Sequence, residues 1–311
     1  MKIETIARVA LLAFGICGPV FGSPGSLVGQ WDGVITVKAA EFEVDLRVVI
    51  DHADGKTASG RLSFPAQGET QYPLEDLLVE SSHIFFQTHD ERKIASVFQG
   101  EISADGSTIT GTLLESEQRA PFTLVKRAAA SREPAGDPIV VSPDGKELKE
   151  AFNQDRDHTR LLMILSPTCM VCRMGARIVE RHVLEHVADP HLSVYVIWEP
   201  TSSRDSLQAA RDASALLTDK RIRQFWSSER FAGRALGGSV GFADAPAWDV
   251  FLVYAKGRSW TDQAPAPDRF MHNHKKSDVL PKDRLLNGDA LALEVEDVLR
   301  GKDAVTGKGG R

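Results

Sequence analysis

The stretch SPTCMVC at residues 166–172 follows the apolar run LLMIL and precedes the segment RMGARIVERHVLEHV. The run predicts a strand that is buried on both faces. In the segment, Met174, Ile178 and Val179 begin an apolar stripe at helical spacing, which predicts a helix. Cys169 and Cys172 therefore stand where a strand turns into a helix. They could form a structural disulfide, belong to a metal site or act as a reactive dithiol.

The first 22 residues predict a cleaved signal peptide. Lys2 and Arg8 precede an apolar run of about a dozen residues, and small residues stand before Ser23 at the expected cleavage point. The run is short for a membrane span, although an uncleaved anchor or a buried helix would have a similar composition. Cleavage would remove Cys17, and we then expect a periplasmic or secreted protein whose remaining two cysteines work in an oxidising compartment.

The composition is that of an ordinary soluble protein. Of the 311 residues, 42% are hydrophobic and 26% are charged, and the net charge is −6 without a basic stripe. We therefore expect no nucleic-acid partner and no membrane span after signal removal. The length left after residue 22 suits two domains.

Residues 23–127 predict an all-β domain, a meander of about eight strands rolled into a barrel. In EFEVDLRVV, Val44, Leu46 and Val48 alternate with polar residues. Glycines recur in the strands, and the arrangement resembles the small lipocalin-like modules of secreted bacterial proteins in outline. Five aromatic residues of this domain could line a cavity, but a filled core is the better interpretation: Trp31, Phe64, Phe85, Phe86 and Phe98.

A linker is predicted at 128–137, an α/β domain at 138–302 and a disordered tail at 303–311. The predicted order of the α/β domain is β-α-β-α-β-α-β-β-α. RIRQFWSSERFAGRAL at 221–236 is expected to be helical. WDVFLVY at 248–254 is expected to pair with a strand near residues 258–260, and a last helix should end at Gly301.

This order, with CxxC after the second strand, resembles the thioredoxin-like superfamily, especially its secreted and periplasmic members. The resemblance covers residues 137–302 and includes Pro246, just before AWDVFLVY. Thioredoxin-like proteins carry a cis-proline at the matching position, packed against the dithiol. The resemblance therefore implies a cis Ala245–Pro246 bond beside Cys169 or Cys172. The predicted fold class is α+β, an all-β barrel followed by an α/β thioredoxin-like domain.

The chemistry of such a dithiol assigns different roles to the two cysteines. A helix N-terminus carries partial positive charge and unpaired N–H groups, so a thiol there loses its proton readily. Cys169, the first and more exposed cysteine, should attack, and Cys172, one turn further on, should resolve the mixed disulfide. The catalytic residues predicted are thus Cys169, Cys172 and Pro246.

The sequence departs from thioredoxins proper at two places. Pro167 and Thr168 stand where those proteins have a tryptophan, and TRLLMILS at 159–166 lacks their buried acid. Asp249 could replace that acid, but an exposed strand aspartate is the simpler interpretation.

A metal site is the main alternative chemistry. FMHNH at 270–274 offers His272 and His274, which with two thiolates would suit copper or zinc. His182 and His186, four apart on one helix, are better explained as solvated surface residues. We predict no metal or other cofactor.

The function predicted is that of an exported thiol–disulfide oxidoreductase. Its partners would be protein thiols or disulfides, in particular those of another redox protein. The alternatives are a copper- or zinc-handling module, or a binding protein in which the thioredoxin-like domain is a scaffold.

Overall fold

A computed structural model describes residues 27–37, 42–53, 58–68, 70–127, 136–242 and 245–301. The predicted signal peptide at 1–22 with Cys17, most of the predicted linker at 128–137 and the predicted tail at 303–311 lie outside these residues. Within the described residues, we find no helix that is both long and apolar enough to cross a membrane.

Nine antiparallel strands form a nearly closed barrel, in the order β4-β3-β2-β1-β9-β8-β7-β6-β5. Each strand pairs with its neighbour in sequence except at β4–β5, and β1 also pairs with β9. About eight strands were predicted. The strands are β1 (Gly29–Val37), β2 (Phe42–Ala53), β3 (Ala58–Ser63), β4 (Gln71–Pro73), β5 (Glu75–Glu80), β6 (His83–His89), β7 (Ala95–Ile102), β8 (Thr108–Glu115) and β9 (Gln118–Lys126).

Two strand glycines permit the close approach of neighbouring backbones in this sheet. A Cβ added to Gly33 would lie 1.8 Å from the Thr123 carbonyl oxygen, and one added to Gly111 would lie 2.1 Å from the Gln99 carbonyl oxygen. Only glycine fits at such positions, which explains why glycines recur in the strands.

The interior of the barrel is filled by side chains. Trp31, Phe86 and Phe98 are almost fully buried, and the Phe86 and Phe98 rings stack with their centroids 4.7 Å apart. The Phe122 ring packs edge-on against Phe98. The prediction that the aromatic residues fill a core is confirmed for the three most buried ones.

The second sheet is mixed and carries helices. Its order is β10-β13-β12-β11-β14-β15, with β14 and β15 antiparallel to their neighbours. The strands are β10 (Ile139–Val140), β11 (Thr159–Leu165), β12 (Leu192–Trp198), β13 (Ile222–Trp226), β14 (Val250–Tyr254) and β15 (Arg269–His272). The helices are α1 (Lys146–Gln154), α2 (Met170–Ile178), α3 (Leu207–Ser214), α4 (Phe231–Leu236) and α5 (Gly288–Leu299), and a π-helical turn, Val179–Leu184, extends α2.

Central strand β11 is buried along its whole length, as predicted. It nevertheless contains a charge, because Arg160 is fully buried and donates hydrogen bonds to the carbonyl oxygens of Phe152, Ala255 and Arg258 at 2.8–3.0 Å. Ala255 and Arg258 are far from Arg160 in the sequence, so tertiary contacts compensate much of the cost of burying this charge, although the Nε atom of Arg160 has no hydrogen-bond partner among the described residues.

Two predictions about this sheet are wrong. The first half of RIRQFWSSERFAGRAL is strand β13 rather than helix, because it lies between β10 and β12, which hydrogen-bond to it on both sides. Strand β14 pairs with β15 rather than with residues 258–260. The intervening chain forms a loop closed by Asp268, whose carboxylate accepts from the Ala255 N–H at 2.8 Å.

Candidate functional site

The two cysteines lie at the strand-to-helix junction that the sequence predicted. Strand β11 ends at Leu165, and Cys169 is the N-cap of α2, with the extended backbone angles φ −78° and ψ 114°. In this conformation its Sγ accepts a hydrogen bond from the Cys172 backbone N–H at 3.3 Å. Cys169 is partly exposed and Cys172 is fully buried, and both are free thiols.

The two thiols differ in their tendency to ionise. The hydrogen bond from the Cys172 side chain, together with backbone N–H groups, holds the pKa of Cys169 below its ordinary value, although burial opposes this. Burial raises the pKa of Cys172 well above its ordinary value. Cys169 is therefore the better thiolate, since hydrogen bonds to the charged form favour it and loss of water disfavours it.

Asp249 is the third member of the site. Its carboxylate and the sulfurs of Cys169 and Cys172 all lie within 4.8 Å of one another. The residue is buried, and the Asn273 side-chain amide donates to its carboxylate at 3.0 Å. Burial raises the pKa of Asp249 to about 6. The interpretation of Asp249 as an exposed strand residue is wrong, because the aspartate faces the dithiol.

Pro246 does not have the predicted conformation. The Ala245–Pro246 bond is trans, and the described residues contain no cis peptide bond. The strand begins at Val250, so the three residues 247–249 separate it from Pro246. The chain enters β14 through Asp249, whose φ of +52° is left-handed. Trp248 packs in the hydrophobic cluster that includes Cys169.

The histidines considered as metal ligands are engaged elsewhere. His272 is buried, with Nε2 3.0 Å from the Pro281 carbonyl oxygen, and its Nδ1 accepts from the His274 N–H. The Nε2 atom of His274 lies 2.7 Å from the Trp248 carbonyl oxygen. Among the described residues, the one group with ligand spacing is formed by the two cysteines and Asp249, without a histidine.

A further acid, which sequence reasoning missed, lies beneath the turn before Cys169. Asp205 accepts hydrogen bonds from the hydroxyl of Ser166 and from both the N–H and the hydroxyl of Thr168. The signal that could have found it is its place in the Ser- and Thr-rich loop TSSRDS at 201–206, where an aspartate commonly binds nearby backbone N–H groups.

Helix α2 and the π-helical turn that extends it contact the barrel through arginine side chains. Three arginines spaced four residues apart lie there: Arg173, Arg177 and Arg181. Arg173 donates to the Pro65 carbonyl oxygen at 2.9 Å, and Arg181 forms ion pairs with Asp45 and Glu43. Asp45 is buried by these contacts although it belongs to the polar face of β2.

His182 joins the same contact. Its ring lies 3.2 Å from the Glu43 carboxylate and 2.7 Å from that of Asp289. The interpretation of His182 as a solvated surface residue is wrong for this reason. The His186 ring lies 2.9 Å from the Arg181 carbonyl oxygen.

No family model and no curated protein matches this chain. Three solved structures resemble parts of it. A thioredoxin-like protein in its oxidised form covers 56% of this chain and 99% of its own, at 14% identity and a TM-score of 0.34. A redesigned β-barrel covers 36% of this chain and 100% of its own, at 10% identity and a TM-score of 0.28.

The third is a Schistosoma mansoni fatty acid binding protein in complex with arachidonic acid. It covers 34% of this chain and 100% of its own, at 15% identity and a TM-score of 0.24. Similarity at this level does not identify a family.

Proposed function

We propose that this protein is an exported thiol–disulfide oxidoreductase with Cys169 as the attacking thiol and Cys172 as the resolving thiol. The observation that carries the proposal is the Cys169 sulfur at the N-cap of α2, where it accepts the Cys172 N–H. That position stabilises a thiolate, and the thiolate is the nucleophile in disulfide exchange. The export part rests on the sequence of residues 1–22.

The first step is attack by the Cys169 thiolate on a partner disulfide. A bond forms between Cys169 Sγ and one partner sulfur, and the second partner sulfur leaves as a thiolate that takes a proton from water. The buried Cys172 then passes its proton to the carboxylate of Asp249, which lies within reach of its sulfur.

The Cys172 thiolate next attacks Cys169 Sγ, which closes the Cys169–Cys172 disulfide and releases the remaining partner sulfur as a thiolate. The partner gains two electrons and the dithiol loses two, so the reaction balances. The same steps run backwards when the partner is a dithiol and this protein starts oxidised.

The proposed partner is a protein with a reactive thiol or disulfide, such as another redox protein. The side chains of Met170 and Val171, between the cysteines, are 45% and 43% exposed. These apolar groups next to a partly exposed thiol suit contact with an extended protein segment better than with a small charged disulfide.

Trapping of mixed disulfides tests this proposal. We expect Cys172→Ser to accumulate a covalent mixed disulfide with a peptide disulfide, because the intermediate lacks its resolving thiol. Cys169→Ser should trap none. The double variant Cys169→Ser/Cys172→Ser is the control. Trapping by Cys169→Ser alone would reverse the two roles, and absence of any reversible disulfide in the unmodified protein would reject the function.

Metal handling is a second candidate, favoured by one observation. Two thiols and a carboxylate within 4.8 Å of one another form a set that zinc accepts, with a fourth position open. This candidate predicts protein that is purified with one equivalent of zinc and thiols that react with a thiol reagent only after chelation. Rapid thiol reaction without a chelator and absence of bound metal favour the redox function.

A further inference from the structure

The Asp205 carboxylate joins two loops at the carboxyl ends of neighbouring strands β11 and β12. On the β11 side it accepts from the Thr168 hydroxyl at 2.6 Å, the Thr168 N–H at 3.0 Å and the Ser166 hydroxyl at 3.0 Å. On the β12 side it accepts from the N–H groups of Thr201 at 2.7 Å and Ser202 at 2.9 Å. These five donors, together with the hydroxyls of Thr201 and Ser202 at 3.4 Å, converge on one side chain.

Asp205 is ionised at neutral pH. Burial opposes its ionisation, but hydrogen bonds from Thr168, Thr201 and Ser202 outweigh this effect and hold the pKa of Asp205 below its ordinary value. Hydrogen bonds to an ionised acceptor are stronger than those between neutral groups. The hydrogen bonds of Asp205 therefore hold the two loops together strongly.

The residues that Asp205 holds lie directly before the nucleophile. Thr168 precedes Cys169, and the Cys169 N–H donates to the Ser166 carbonyl oxygen at 3.3 Å, which closes the turn. Directly after this turn, Cys169 has the extended angles φ −78° and ψ 114°. Those angles in turn bring Cys169 Sγ onto the Cys172 N–H.

We propose that Asp205 is a positioning residue that keeps Cys169 in its N-cap conformation and so favours the Cys169 thiolate. This proposal rests on the proposed function for its significance, but its measurement does not depend on it. Asp205 touches neither sulfur among the described contacts, so it acts through Ser166 and Thr168 rather than on the reacting atoms.

Positioning and charge predict opposite results when Asp205 is changed. If positioning dominates, loss of the carboxylate loosens the turn, weakens the hydrogen bond to Cys169 Sγ and raises the pKa of Cys169. If the negative charge dominates, its removal lowers the pKa of Cys169, since like charges disfavour ionisation. The sign of the change therefore decides between them.

The experiment is the pH profile of alkylation of Cys169 in the full-length protein carrying Cys172→Ser. Asp205→Asn and Asp205→Ala are each compared with Asp212→Asn, which changes an exposed aspartate of α3. We expect both Asp205 variants to react about threefold to tenfold more slowly than the parent at neutral pH, the size of effect that a helix-terminal or charge-assisted contact has on an ionisation. Their profiles should shift to higher pH, and Asp212→Asn should not shift.

Thr168→Val is the milder second variant, because it removes one hydroxyl donor and leaves the carboxylate. It should shift the profile in the same direction by a smaller amount, which keeps the test informative should Asp205→Ala fold poorly. An unchanged profile in Asp205→Asn, or one shifted to lower pH, would overturn the proposal. Failure of the proposed function is a separate result, seen when the unmodified protein forms no reversible Cys169–Cys172 disulfide.

Discussion

The carboxylate of Asp249 contacts the buried thiol of Cys172, and both groups lie within 4.8 Å of Cys169 Sγ. The two residues are 77 positions apart in the sequence. A thiol as buried as Cys172 cannot release its proton directly to water. A nearby carboxylate with a pKa of about 6 is matched to accept that proton near neutral pH.

Asp249→Asn should slow closure of the disulfide about 100-fold, the lower end of the range for loss of one general base. In the unmodified protein the rate should rise with pH through about 6, where Asp249 ionises, and this step should disappear in the variant. Rapid-quench measurement of resolution of a preformed mixed disulfide follows this rate. Asp262→Asn, an exposed change, is the control. A variant that retains the step near pH 6 would contradict the role of Asp249.

Glu199 should make the unfolding free energy of the protein decrease as the pH rises. It is fully buried at the end of β12 and accepts from the N–H groups of Ala232 at 2.8 Å and Gly233 at 3.1 Å. Burial raises the pKa of Glu199 to about 7. The folded state therefore favours the neutral acid, and this stabilisation is complete below the unfolded pKa and lost as pH rises through about 7.

Glu199→Gln should remove this pH dependence. Between pH 5 and pH 8, the unfolding free energy of the unmodified protein should decrease by about 2 kcal/mol more than that of the variant. Urea denaturation at both pH values measures the difference. Glu229→Gln, at an exposed position, should leave it unchanged. An equal pH dependence in the Glu199→Gln protein would show that this carboxyl is ionised in the fold.

The contact between α2 and the barrel should be strongest in mildly acidic solution. The hydrogen bond from His182 lowers the pKa of Glu43 to about 2, with further help from Arg181 and against burial. The hydrogen bond to Glu43 likewise raises the pKa of His182, against burial and with help from Asp289. The stabilisation that Glu43 contributes is present above a pH of about 4.5. The stabilisation that His182 contributes is lost as the pH rises through the elevated pKa of His182.

His182→Gln should therefore cost about 1 kcal/mol of unfolding free energy at pH 6, allowing for solvent screening of these half-buried groups, and less at pH 9. Denaturant unfolding at the two pH values provides the measurement. His83→Gln, an exposed histidine of the barrel, serves as the matched control. Equal losses at pH 6 and pH 9 would mean that the charge of His182 does not contribute.

Phe98→Ala should destabilise the barrel by about 3–5 kcal/mol, because it leaves a cavity beside the stacked Phe86 ring. Val125→Ala, at an exposed barrel position, should change the unfolding free energy by less than about 0.5 kcal/mol. Denaturant unfolding compares the two. A small effect of Phe98→Ala would indicate that the barrel interior is loosely filled and would reopen the interpretation that it binds a ligand.

Much of the fold could be predicted because the signals are local. The apolar run LLMIL at 161–165 predicts a buried strand by composition, and the stripe after Cys172 predicts α2 by periodicity. The same local order predicted a cysteine at the start of a helix, and Cys169 is its N-cap. Alternation in β2 also predicted which side chains, such as Leu46 and Val48, face the barrel core.

Other features depend on contacts between distant residues, which no local pattern contains. Strand β13 was mistaken for helix because its identity depends on hydrogen bonds to β10 and β12 on either side. The cis Ala245–Pro246 bond was predicted from the resemblance alone and is wrong, and β14 begins only at Val250, where it pairs with His272 of β15.

The sequence by itself determined that two cysteines share the first turn of a helix, since four consecutive positions and the flanking periodicity are enough to specify that turn. Only the tertiary structure decided which acids serve them. In the sequence, Asp249 looks like an exposed strand aspartate and Asp205 like an ordinary loop aspartate. They become part of the site because packing of the sheet buries one against Cys172 and directs the other beneath Thr168. Burial and distance set the ionisation of such groups, and both arise only when the chain is folded.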